Sequence, residues 1–170
     1  FIYRKNIIPN FINFKNNIKT YIKKYFKYWL IMFGLMMLSN IIITLITGSS
    51  TSNNQEAIND LFKETPIYVA IVTIFIAPIL EELVFRLSFR KIFAKTDIIF
   101  IIFSGLFFGL IHVIEPLDNL SNLLFIIPYS IPGFIFAYLY SKTKNIFIPI
   151  SLHFIHNLFM ICMQIILIII

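Results

Sequence analysis

Charge is scarce in this chain. Only 13% of its 170 residues are Asp, Glu, Lys or Arg, against roughly 25% in a soluble globular domain. Cys162 is the single cysteine, so neither an internal disulfide nor a thiolate metal cluster can form. The first 28 positions hold no acidic residue, the zinc-protease signature HExxH is absent, and no internal repeat is evident. Apolar residues are what the chain has in excess, at 59%, with 17% aromatic and a mean hydropathy of +0.87. A membrane helix takes about 20 mostly apolar residues, so five of them would use roughly 100 positions. This balance excludes a cytosolic enzyme, a disulfide-stapled secreted domain and a nucleic-acid-binding module. An all-α polytopic membrane protein remains.

The pattern along the chain divides it into about five spans behind a basic leading segment. Residues 1–28 carry Arg4, Lys5, Lys15, Lys19, Lys23, Lys24 and Lys27 among interleaved aromatic and Ile residues. That segment is expected to form an amphipathic helix on the cytoplasmic membrane surface. No small-residue cleavage site follows the next apolar run, so it does not read as a signal peptide. Residues 29–47 form the first span, with Tyr28 and Trp29 expected at the interface, and 48–65 an extracellular loop. Residues 66–170 form a core of four spans, at 66–94, 97–114, 120–140 and 145–170. Pro66 occupies a favoured first helical position. Glu115-Pro116 closes the third span, and Pro128, Pro132 and Gly133 predict a kink in the fourth. Phe1 is not an initiator Met and the run Ile165–Ile170 ends unbroken, so further spans are expected beyond these ends.

Orientation follows from the basic residues. With the N-terminus cytoplasmic, five spans place 13 of the 14 Lys and Arg on the cytoplasmic side and leave only Lys63 outside. Lys and Arg gather in cytoplasmic loops, which explains the net charge of +6 without a polyanionic partner. The expected location is a bacterial cell membrane, crossed several times.

Three groups of polar residues interrupt the apolar runs. An ionised side chain near the centre of a membrane helix costs about 2.5–3.5 kcal/mol on insertion scales, and such residues usually mark a working site. In the segment EELVFR, Glu82 and Arg86 are four apart and share a helix face as an ion pair. Glu81 lies about 100° round the helix and points elsewhere. In FGLIH, Phe108 and His112 share a face, and Gly109 beside them admits a neighbouring helix. In HFIHN, His153 and Asn157 share a face, with His156 partly to one side. Carboxylates, imidazoles and an amide on three spans are equipment for water-mediated peptide hydrolysis. Depth is the one conflict. At 1.5 Å per residue His112 lies about 22 Å from Asp97, farther out than His153, about 12 Å from Asn145.

EELVFR, FGLIH and HFIHN, in this order on successive helices, resemble the EExxxR, FxxxH and HxxxN motifs of the CAAX protease and bacteriocin-processing (CPBP, or Abi) family of intramembrane endopeptidases. The resemblance covers about residues 66–160. It implies that Glu81 activates the hydrolytic water and His112 assists it. It further implies that His153 and Asn157 form the oxyanion site, while Glu82 and Arg86 hold the geometry. His156 falls on a variable position and stays outside the catalytic set. The implied partners are the lipid bilayer and a membrane-associated peptide or protein, such as a bacteriocin or pheromone leader or a CAAX-like precursor. A glutamate-type mechanism requires no cofactor. The family has also been described as metalloproteases, in which case Glu81, His112 and His153 would hold a divalent ion such as zinc. Two other functions compete: a non-catalytic immunity protein or signalling scaffold of the same family, and a small transporter with a carboxylate–histidine proton relay.

Overall fold

The computed structural model describes residues 4–93, 96–114 and 120–169, and all regular structure among them is helical. Ala94, Lys95, Glu115 and Pro116 lie outside that range. Helix α1 runs from Arg4 to Thr47. It carries a kink at Asn17 (φ −121°, ψ 15°), where the Asn17 side-chain amide donates to the Asn13 carbonyl at 2.9 Å. The arm before the kink is fastened to the bundle by asparagines. Asn10 donates to the Lys144 carbonyl, and Asn145 donates to the Asn10 carbonyl and the Asn13 side chain. Lys144 itself takes the left-handed conformation, with φ 53°. Trp29 is buried, where it stacks on Phe33 and meets Phe159 edge-on.

Helix α2 (Asn53–Glu64) begins at Ser52, whose hydroxyl accepts from the Gln55 amide, and carries Glu56 in its first turn and Lys63 in its last. That charge order suits the helix dipole. Helix α3 spans Pro66–Ile92 and is widened twice into π turns, at Val72–Ile76 and Leu83–Ser88. Such turns are frequent at functional sites. Helix α4 (Asp97–Ile111) starts at Thr96, whose hydroxyl accepts from the Ile99 amide. A 3-10 turn at Leu120–Phe125 leads into α5 (Ile126–Thr143), and α6 covers Phe147–Ile169.

Four of these helices are long and apolar enough to cross a membrane, and α4 is shorter. Leu45, Ile67 and Ile98 are each at least 70% exposed, an outer surface matched to lipid chains rather than water. Inside, Met32, Phe136, Leu139, Ile148 and Leu152 join α1 to α5 and α6. Helices α4 and α5 approach closely because of glycine. A Cβ on Gly133 would stand 2.8 Å from the Gly105 Cα, and one on Gly109 would stand 2.8 Å from the Ile126 carbonyl oxygen. This contact carries the FGLIH segment against α5, as Gly109 predicts.

Candidate active site

The adjacent glutamates of α3 have opposite surroundings. Glu82 and Arg86 are wholly buried. Arg86 Nε donates to Glu82 Oε2 at 2.7 Å and Nη2 to Oε1 at 3.2 Å, a two-point pairing that matches guanidinium to carboxylate. The remaining arm, Nη1, donates to the Ser104 hydroxyl on α4, which in turn donates to the Phe85 carbonyl. The guanidinium also lies 5.3 Å from the Phe108 ring centre and 5.9 Å from that of Phe136. Arg86 on α3 thus meets Ser104 and Phe108 of α4 and Phe136 of α5.

Glu81, one residue earlier, lines the cavity, and its Oε2 has no hydrogen-bond partner among the described residues. His153 on α6 stands between the two carboxylates. Its Nδ1–H donates to Glu82 Oε1 at 3.2 Å, and its Nε2 lies 3.7 Å from Glu81 Oε2. The ring is stacked on Phe136 with centroids 5.1 Å apart. Asn157, one turn along α6, donates to the Thr73 carbonyl at 2.8 Å. Thr73 belongs to the first π turn of α3, where the backbone ladder is disturbed and a carbonyl is available to a side chain.

His112 caps the end of α4. Its Nδ1 is 2.7 Å from the Phe108 carbonyl, an acceptor only, so the hydrogen sits on Nδ1 and the Nε2 lone pair is left for other partners. The same bond turns the ring back along α4, the direction in which a helical side chain leans, and this narrows the depth difference that counting Cα positions gives.

One cavity of about 790 Å³ receives Glu81, His112, His153, His156 and Asn157. Its walls add Met36, Val72, Met160 and Ile161, with the amides of Asn40, Asn54, Gln55 and Asn59 towards α2. An apolar hollow with a few converging polar groups is the usual form of a ligand site. The structure therefore brings together the candidates on all three motifs, while Glu82 and Arg86 stand behind the wall. His156 also reaches the cavity, and its Nδ1 has no hydrogen-bond partner among the described residues. Ser104 and Tyr129 escaped the sequence reading. A lone Ser or Tyr in an apolar helix carries no spacing signal of its own.

Residues 63–159 match the model of the family described as Type II CAAX prenyl endopeptidase Rce1-like. The chain belongs to that family. It is 37% identical to YdiL of Bacillus subtilis over 115 residues, covering 66% of this chain and 43% of that protein. It is 31% identical over 156 residues to the membrane-embedded CAAX protease MroQ of Staphylococcus aureus, covering 84% of this chain and 60% of MroQ. The UPF0177 protein YvdC of Lactococcus lactis is 31% identical over 130 residues, with 76% of this chain and 48% of YvdC covered. The chain spans about half the length of the curated relatives it matches. No solved structure matches it. The matched region contains all three motifs, and the family is one of membrane endopeptidases.

Proposed function

We propose that the protein is a glutamate-type intramembrane endopeptidase acting on a membrane-associated peptide or protein precursor, a bacteriocin or pheromone leader being the favoured class. One observation carries this reading. Of two adjacent carboxylates, Glu82 is committed to Arg86 and His153, while Glu81 keeps an unsatisfied oxygen beside His153 on the wall of a cavity that His112 also lines. A buried carboxylate oxygen without a partner is costly unless something it serves, such as a water, is held there.

In the proposed reaction Glu81 accepts a proton from a water as the water oxygen bonds to the scissile carbonyl carbon. The bare Nε2 of His112 accepts a hydrogen bond from the water's other O–H, which stays on the oxygen, and holds that oxygen in line. His153 and Asn157 donate to the carbonyl oxygen as it becomes negative. An N–H remains on the Asn157 amide besides the one given to Thr73. With Nδ1–H engaged by Glu82, the donation from His153 comes from a hydrogen carried on Nε2. Glu81 then passes its proton to the leaving nitrogen as the C–N bond breaks, and the site is restored. Glu82 and Arg86 keep His153 and α4 in place and touch no reacting atom.

Among the described residues, no three His, Cys, Asp or Glu side chains converge as a metal ion requires. As placed, these side chains do not close round a metal ion, and no step of this reading is routed through one. The proposed orientation puts the N-terminus in the cytoplasm, from the bias of basic residues.

The test is Glu81→Gln in purified protein reconstituted into vesicles, offered a library of apolar quenched-fluorescence peptides. The variant is expected to insert and fold as the parent does and to lose turnover, since a general base contributes about 10²–10⁴-fold. Cleavage at the parental rate by Glu81→Gln would refute the assignment. A cellular phenotype retained by Glu81→Gln, with no processing by either protein, would favour the non-catalytic scaffold instead.

A further inference from the structure

His112 has an insecure position for a group asked to aim a water. It is the C-terminal cap of α4, one residue past the last helical position, Ile111. Its ring is nevertheless clamped. On one side lies Phe108 of the preceding turn, with centroids 4.8 Å apart. On the other side lies Tyr129 of α5, also at 4.8 Å and only 17° from parallel.

Tyr129 is itself held from far away in the sequence. Its hydroxyl is 2.8 Å from the Ser52 hydroxyl and accepts from the Asn54 amide at 3.3 Å. Ser52 is the residue that caps α2, and it is buried. A second tie runs parallel to the first: the Asn53 amide donates to Asn122 Oδ1, and the Asn122 amide reaches the Val113 carbonyl beside His112. The start of α2 and the end of α4 are thus joined twice, once through a ring and once through a side-chain amide.

We propose that Tyr129 is a positioning residue for His112, and that the seat of α2 sets the aim of the imidazole through it. The proposal rests on His112 having the role given above, but its first test reads the position of the ring without any turnover. The chain has three histidines, so protein carrying isotope-labelled histidine in micelles gives three ring signals, assignable by single substitutions. A ring lying face to face with Tyr129 has its protons displaced upfield. Tyr129→Leu is expected to remove that displacement from His112 and leave the His153 and His156 signals in place. Tyr129→Phe keeps the ring and is expected to retain most of the displacement. Ser52→Ala with Asn54→Ala, which frees the phenol, is expected to reduce it. An unmoved His112 signal in Tyr129→Leu overturns the proposal, and so does equal movement of all three histidines, which marks a general loss of packing. An unmoved signal in the Ser52/Asn54 double variant overturns the link to α2.

The second test uses whichever quenched peptide the parent cleaves. Misplacing a reacting group by about 1 Å costs on the order of 10²-fold, so Tyr129→Leu is expected to lower kcat by about that factor with KM little changed. A rise in KM at constant kcat overturns the positioning role. If no peptide is cleaved by the parent, the peptidase reading fails while the ring signals still decide this one.

Discussion

The buried pair behind the cavity offers the sharpest test of the architecture. Arg86→Met keeps most of the side-chain volume and removes the guanidinium. Glu82, with no exposed surface, would then lose the bonds from Nε at 2.7 Å and Nη2 at 3.2 Å and keep only His153. Ser104 would lose the donor it receives, and Phe108 and Phe136 the cation between them. Removing one partner of a buried ion pair costs about 3–5 kcal/mol, because the other charge is left uncompensated. Replacing both partners with apolar residues is often neutral or even stabilising by about 1–4 kcal/mol. Glu82→Leu with Arg86→Met is therefore expected to regain most of the stability that Arg86→Met loses. It is not expected to regain turnover, since His153 loses the carboxylate that fixes its Nδ1. The assay is equilibrium unfolding in mixed micelles titrated with dodecyl sulfate, followed by tryptophan fluorescence from the buried Trp29. Arg86→Met as stable as the parent, or the double variant no more stable than Arg86→Met, would refute the reasoning.

The tight α4–α5 contact makes a second expectation. In Gly133→Ala the new Cβ would meet the Gly105 backbone at 2.8–2.9 Å, and the helices must part at a cost of about 1–3 kcal/mol; unchanged stability in the same micelle assay would contradict it. A third concerns the donor set, which does not converge for a metal. Dialysis against a chelator is expected to leave peptide cleavage unchanged, and activity lost on chelation and restored by zinc would overturn the glutamate-type mechanism.

What the sequence made legible was whatever carries a period. Glu82 and Arg86 are four apart, and the structure pairs them; Gly109 sits one residue from Phe108, and the structure packs α5 against it. Helix spacing also separates Glu81 from Glu82, and the two carboxylates face different surroundings as that spacing requires. Contacts between distant segments are another matter. Ser52 and Tyr129 are 77 residues apart and meet at 2.8 Å, and Arg86 and Ser104 lie on different helices, 18 positions apart. A neutral hydroxyl costs far less to bury than a charge, and Ser52 lies in a polar stretch, so neither Ser104 nor Ser52 announces itself as the two glutamates do. The π turns escape for a related reason. Val72–Ile76 reads as ordinary apolar helix, and only the partner across the gap, Asn157 reaching the Thr73 carbonyl, gives the widened turn something to hold. Expense of burial therefore finds the charged groups of a membrane site, and packing must find the neutral ones that aim them.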